Sequence, residues 1–155
     1  MILIKNKQKK IKVNIPKIKK DIESILNSLN YQDFDLGIWF TTNPTIKKYN
    51  KQYRKKDKAT DILSFPYHTN LKAGENIKDL NPTDSNPEDK NLGDIIISLE
   101  FCKKAASEFN KPFSVHLQRL IVHGIAHLLG YTHESDKEFE KMSKFENKLL
   151  NLLSS

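Results

Sequence analysis

The 155-residue sequence predicts an α+β fold, a small mixed β-sheet packed by about five helices. Two observations predict it. Short runs rich in β-branched or alternating apolar residues, of which Gly93 to Leu99 is the clearest, have the length and composition of strands. Between them lie stretches whose apolar residues recur every three or four positions, the period of a helix with one buried face. The length suits one core and no internal repeat is present, so residues 1–155 are expected to form a single domain.

Met1 to Val13 alternates apolar residues with lysine, which suits one or two short edge strands; lysine at an edge opposes aggregation. Pro16 opens a helix to about Leu29, with Ile18, Ile22, Ile25, Leu26 and Leu29 on one stripe. Asp33 to Thr41 is a strand on which Phe34, Leu36, Ile38 and Phe40 point one way and Trp39 the other. Thr42-Asn43-Pro44 starts a helix that Ile46, Tyr49, Asn50 and Tyr53 continue toward Arg54. Thr60 to Pro66 is a short strand stopped by proline. Residues 67–91, dominated by Asn, Asp, Pro, Gly and Lys, are expected to form a long flexible loop. After the strand at 93–99, a helix runs from about Leu99 to Phe109, and Lys111-Pro112 opens the next. Ser135-Asp136-Lys137-Glu138 has capping-box form and begins a final helix with Phe139, Met142, Phe145, Leu149 and Leu150 facing inward.

The formal charge is +7, and its distribution is uneven. Residues 1–20 hold eight lysines and no acid. A second block comprises Lys47, Lys48, Lys51, Arg54, Lys55, Lys56 and Lys58, while acids gather between Glu75 and Asp94. Such segregation attracts polyanions, nucleic acid above all, although lysine runs are also ordinary solvated surface. Cys102 is the single cysteine, which excludes an internal disulfide, fits a reducing cytoplasm and reads as a small buried hydrophobe. The apolar stretches are too short to span a membrane. Lys5 follows Met1-Ile2-Leu3-Ile4 at once, so no signal peptide is expected.

Three of the five histidines fall in His123-Gly124-Ile125-Ala126-His127-Leu128-Leu129-Gly130-Tyr131-Thr132-His133. His123 and His127, four apart, leave one face of a helix. Gly130 can end that helix in the left-handed conformation and turn His133 back toward the pair. Three imidazoles with a position left open are a catalytic zinc ligand set, and such zinc can lower the pKa of its water to about 7. The spacing is that of the zincin pattern H-E-x-x-H-x-x-G-x-x-H, with Gly124 in place of the glutamate that serves as general base. Proteolysis by that route is therefore disfavoured. Met142 reads as core rather than a Met-turn, and His116 as either a helix-surface residue or a supporting neighbour of the metal. Arg54, one of only two arginines against 24 lysines, is the candidate for stabilising a phosphodiester's developing charge; the bland alternative is an ion pair with Asp57 or Asp61.

Together these motifs resemble the YbeY family of metal-dependent endoribonucleases. The resemblance rests on residues 123–133, on Tyr49-Asn50-Lys51-Gln52-Tyr53-Arg54, on Ala59 to Pro66 and on Leu92 to Ser98, in the family's order. It implies a single-domain α+β fold and single-strand-selective RNA cleavage in the cytoplasm. It also implies roles in ribosomal RNA maturation, including the 3′ end of the small-subunit RNA, and in ribosome quality control. His123, His127 and His133 would bind one Zn2+, and Arg54 would be essential for activity. The implied partners are single-stranded RNA and the ribosome or its small-subunit proteins, with no membrane and no DNA. The family usually has aspartate before the third histidine, where this chain has Thr132. Two other classes are a zinc metalloprotease and a non-catalytic, RNA-binding ribosome assembly factor in which zinc is a structural staple.

Overall fold

In the computed structural model, which describes residues 1–80 and 87–154, the element order is mixed from end to end. Strand β1 (Ile2–Asn6) leads to α1 (Ile15–Ser28), β2 (Asp35–Thr41), α2 (Asn43–Arg54) and β3 (Ile62–Pro66). A one-turn α3 (Ile77–Leu80) and a 3-10 turn (Pro87–Asp89) precede β4 (Asn91–Ser98), α4 (Leu99–Glu108), α5 (Phe113–Leu128) and α6 (Asp136–Leu153). The sheet order is β1-β2-β4-β3, with β1, β2 and β4 parallel and β3 antiparallel to β4. The lysine-bearing first strand is an edge, as its composition demands. Six helices are present among the described residues, against about five expected. The addition is α3, too short to leave a periodic signal.

Alternation on the strands separates two cores. Leu36, Ile38 and Phe40 of β2, Ile95 and Ile97 of β4 and Ile62 of β3 join the main core with α1, α4, α5 and α6. Trp39, Ile96, Leu63 and Phe65 point to the opposite face, where Ile46 and Tyr49 of α2 meet them. One sheet face is thus buried under several helices and the other only partly covered by α2. Cys102 is fully buried, and burial pushes its thiol up to about 12, so it behaves as the inert hydrophobe expected. Met142 is buried as well.

The segment read as a flexible loop at 67–91 includes residues 81–86, which lie outside the described residues. Its described part is anchored. Leu71 and Ile77 are buried in the main core, and the Ile77 N–H donates to the Tyr31 hydroxyl at 3.1 Å. His68 Nε2 meets the Asp89 carbonyl at 2.8 Å, and the Tyr67 N–H donates to the Leu92 carbonyl at 3.2 Å, closing the base of the segment. Two isolated apolar residues carry no period, which is why the sequence shows no element here. Phe139 corrects the expected inward stripe of α6: it is 62 % exposed, because the first turn of that helix stands clear of the core.

Candidate metal centre and basic cleft

Helix α5 is apolar nearly all round, and Leu120, Ile121, Val122, Ile125, Ala126 and Leu128 are buried. Gly124 lies where α5 touches the sheet: a Cβ there would stand 2.8 Å from Ile62 Cδ1 and 2.9 Å from Ile95 Cδ1. That contact sets the rotation of α5 about its axis, and with it the direction in which His123 and His127 leave the helix, one turn apart. The helix then ends in a Schellman motif. The Gly130 N–H donates to the His127 carbonyl at 3.1 Å and the Tyr131 N–H to the Ala126 carbonyl at 3.0 Å, with Gly130 at φ +91°. The turn so formed carries His133 back, and one nitrogen from each of His123, His127 and His133 lies within 4.8 Å of the others. The three residues singled out in the sequence are brought together.

The tautomers follow from the partners. The Tyr131 carbonyl can only accept, so His127 Nδ1, 2.9 Å away, is the donor and Nε2 is a bare lone pair. His123 Nδ1 lies 3.4 Å from both oxygens of Glu146, a carboxylate that also only accepts. His123 Nε2 is then bare too, and it faces His127 Nε2 at 3.0 Å. Two ring nitrogens facing at that distance either share a proton or turn their lone pairs to a common metal ion. Burial, and then the neighbouring His123, push the His127 pKa down to about 4, so a proton is disfavoured near neutrality. The donor set fits a metal ion held by neutral imidazoles.

Glu146 was not foreseen. It lies four residues after buried Met142 and three before buried Leu149, on the inner face of α6. An acid in such a stripe was the available signal. Thr132, the residue before the third histidine, donates its hydroxyl to the Glu138 carboxylate. Glu138 therefore completes only half of the expected capping box: its N–H donates to Ser135 Oγ at 3.2 Å, while its carboxylate is turned to Thr132. His116 is not one of the three converging imidazoles: its ring lies 6.4 Å from that of Phe109, and it lines a hollow that His123 and Glu146 also border.

Arg54 ends α2, where Lys55 turns the chain at φ +60°. Buried Asn50 fixes the turn, its Nδ2 donating to the Lys58 carbonyl at 2.9 Å. Arg54, Tyr53, Ser64, Phe65 and His127 line one cleft of about 460 Å³, so Arg54 and one histidine of the cluster open onto a common space. The ion pairs considered for Arg54 are not formed. Asp57 pairs with Lys51 at 3.8 Å, and Asp61 Oδ1 accepts the Ile62 N–H at 2.7 Å.

Fold and site define an α+β protein with a three-histidine candidate metal centre at the mouth of a cleft holding an arginine. The comparisons are specific: residues 3–154 match the family model described as Endoribonuclease YbeY. The chain belongs to that family. Human endoribonuclease YbeY is 36 % identical over 152 residues, covering 98 % of this chain and 87 % of the relative. Endoribonuclease YbeY of Aquifex aeolicus is 38 % identical over 154 residues, covering 99 % and 91 %. The solution structure of TM1509 from Thermotoga maritima superposes with a TM-score of 0.59 at 25 % identity, covering 97 % of this chain and 90 % of that one. Among the described residues, no helix is long and apolar enough to cross a membrane.

Proposed function

We propose that the chain is a zinc-dependent endoribonuclease that cleaves single-stranded RNA in ribosomal RNA maturation and quality control. The observation that carries this reading is the cleft shared by Arg54 and His127. Family membership supports RNA as substrate, and the relatives are named endoribonucleases.

His123, His127 and His133 would hold one Zn2+, which when bound supplies a Lewis acid to polarise a phosphoryl oxygen. The remaining functions fall to the protein. The Tyr131 carbonyl and Glu146 orient two of the rings and fix their protons on Nδ1. Arg54 grips non-bridging phosphate oxygens with its planar fork and stabilises the charge that gathers on them at the transition state. Lys47, Lys48, Lys55 and Lys56, all exposed on α2 and the turn after Arg54, draw the polyanion in. In this reading the protein works in the cytoplasm on the ribosome or its small-subunit proteins, on RNA rather than DNA.

The test is to incubate metal-quantified protein with single-stranded ribosomal RNA, with and without chelator, beside Arg54→Ala and His127→Ala. Cleavage should stop with chelator and with His127→Ala. It should fall about a hundredfold with Arg54→Ala while zinc is retained, the scale of one electrostatic donor. Near-normal cleavage by Arg54→Ala would remove that residue from the mechanism. Chelator-sensitive casein turnover with RNA left intact would make the chain a metalloprotease. Salt-sensitive RNA binding without cleavage would make it an assembly factor.

A further inference from the structure

We propose that the cleft beside Arg54, floored by Trp39 and Phe65 and walled by Tyr53, is a stacking subsite for one nucleobase of the single-stranded RNA; this rests on the ribonuclease reading above. Four observations carry it. On the sheet face opposite the main core, where α2 and Ala59 pack, Trp39, Tyr49, Tyr53 and Phe65 line a cleft of about 380 Å³ with Asp94 and Ile96. That volume lies within the roughly 300–1,000 Å³ of small-ligand clefts. The rings are partly open to solvent. Tyr53 is 56 % exposed, stacked against Tyr49 at 6.1 Å with planes 9° apart, and meets Phe65 edge-on at 5.2 Å.

The second observation is continuity. Tyr53 and Phe65 line both this cleft and the one that holds Arg54 and His127, so the two spaces share a wall. A phosphate on Arg54 leaves the adjoining base beside the aromatic rings. The third is charge. Lys5 places its Nζ 5.5 Å from the Trp39 ring, and α2, which packs on this sheet face through Ile46 and Tyr49, carries the exposed Lys47, Lys48 and Lys51. A cation over an aromatic ring, on a face bearing further lysines, complements a strand with an anionic backbone and flat bases. The fourth is Asp94, exposed on β4 opposite Gly37, whose missing side chain leaves room for the carboxylate. A carboxylate repels phosphate and accepts from base N–H groups, so this cleft takes the base while Arg54 takes the phosphate. A base paired in a duplex cannot enter, which accounts physically for selectivity toward single strands.

Trp39 is the only tryptophan, so its fluorescence reports occupancy of the cleft. The test titrates the full-length, zinc-loaded protein with a six-nucleotide 2′-O-methyl RNA that resists cleavage through its 2′ position, then with the same strand carrying one abasic position moved along it. Saturable quenching is expected with the single strand and none with its duplex. Tyr53→Leu should weaken binding roughly tenfold and Tyr53→Phe should leave it unchanged, since the ring and not the hydroxyl does the stacking. One abasic position should cost the wild type a similar factor and cost Tyr53→Leu almost nothing. If Tyr53→Leu fails to fold, Phe65→Leu takes its place in the same cycle. Silent Trp39 fluorescence, or equal losses from the abasic position in wild type and variant, would overturn the subsite and leave the face to a protein partner or to solvent. Cleavage of unmodified RNA is scored separately: quenching without cleavage sinks the nuclease reading alone, and cleavage without quenching sinks the subsite alone.

Discussion

Gly124 and Ile95 meet across the seam between α5 and the sheet so closely that a Cβ on the glycine would stand 2.9 Å from the Ile95 Cδ1. In the zincin pattern this position carries the catalytic glutamate. Here it points into the main core and not into the cleft, so the departure from that pattern is a matter of packing as well as chemistry. Gly124→Ala should cost about 1–2 kcal/mol, because overpacking against two isoleucines outweighs the gain in helix propensity. Gly124→Glu would bury an unpaired carboxylate and should fold poorly, without acquiring proteolysis. Urea unfolding and casein turnover check both outcomes; a stable, casein-cleaving Gly124→Glu would refute the packing account.

Glu146 holds the Nδ1 side of His123 at 3.4 Å from each oxygen, and among the described residues no other carboxylate meets a ring nitrogen of the cluster. Glu146→Ala should weaken zinc affinity about 10–100-fold by freeing the ring and lowering its basicity. Glu146→Gln, which keeps an accepting oxygen, should lose less. Competition against a chromophoric chelator measures both, and unchanged affinity in Glu146→Ala would show that His123 is held by other means.

The histidine cluster was legible because its parts are local: a four-residue spacing, a glycine stop and one turn. The strand pattern was legible for a similar reason, since Leu36, Ile38 and Phe40 alternate against Trp39 and reach opposite cores. What the sequence hid was placement across the chain. Glu146 reaches His123 over 23 positions, and only its place within an apolar stripe hints at it. Leu71 and Ile77 are single anchors in a polar segment, with no period to reveal that they enter the core. Phe139 shows the converse error, an apolar residue at inward spacing on a helical turn that stands clear of the core.

Gly130 has two reasons to be glycine. Its φ of +91° suits no side chain, and a Cβ there would run into the Leu71 carbonyl of the neighbouring segment. Gly130→Ala should therefore cost about 2 kcal/mol or more, combining left-handed strain with the clash. The same turn delivers His133, so zinc affinity should fall together with stability. Thermal unfolding and chelator competition on one preparation test the coupling; a loss of stability with zinc affinity intact would separate the turn from the site.

The depressed pKa of His127 fixes the direction of the metal-free protein's response to acid. In the unfolded chain this imidazole takes its proton near 6.5; in the fold, burial and His123 delay it to about 4. Between those values the unfolded state binds more protons, so stability present above pH 6.5 is lost as pH falls toward 4. Metal-free protein should thus show a lower urea midpoint at pH 5 than at pH 7. His127→Gln removes the titrating group and should flatten part of that slope, leaving what other groups contribute. The His127 ring resonances in the metal-free protein should titrate with a midpoint near 4, well below an exposed imidazole. Equal pH slopes in wild type and His127→Gln would mean that the ring is solvated in solution and does not stand ready as a neutral ligand.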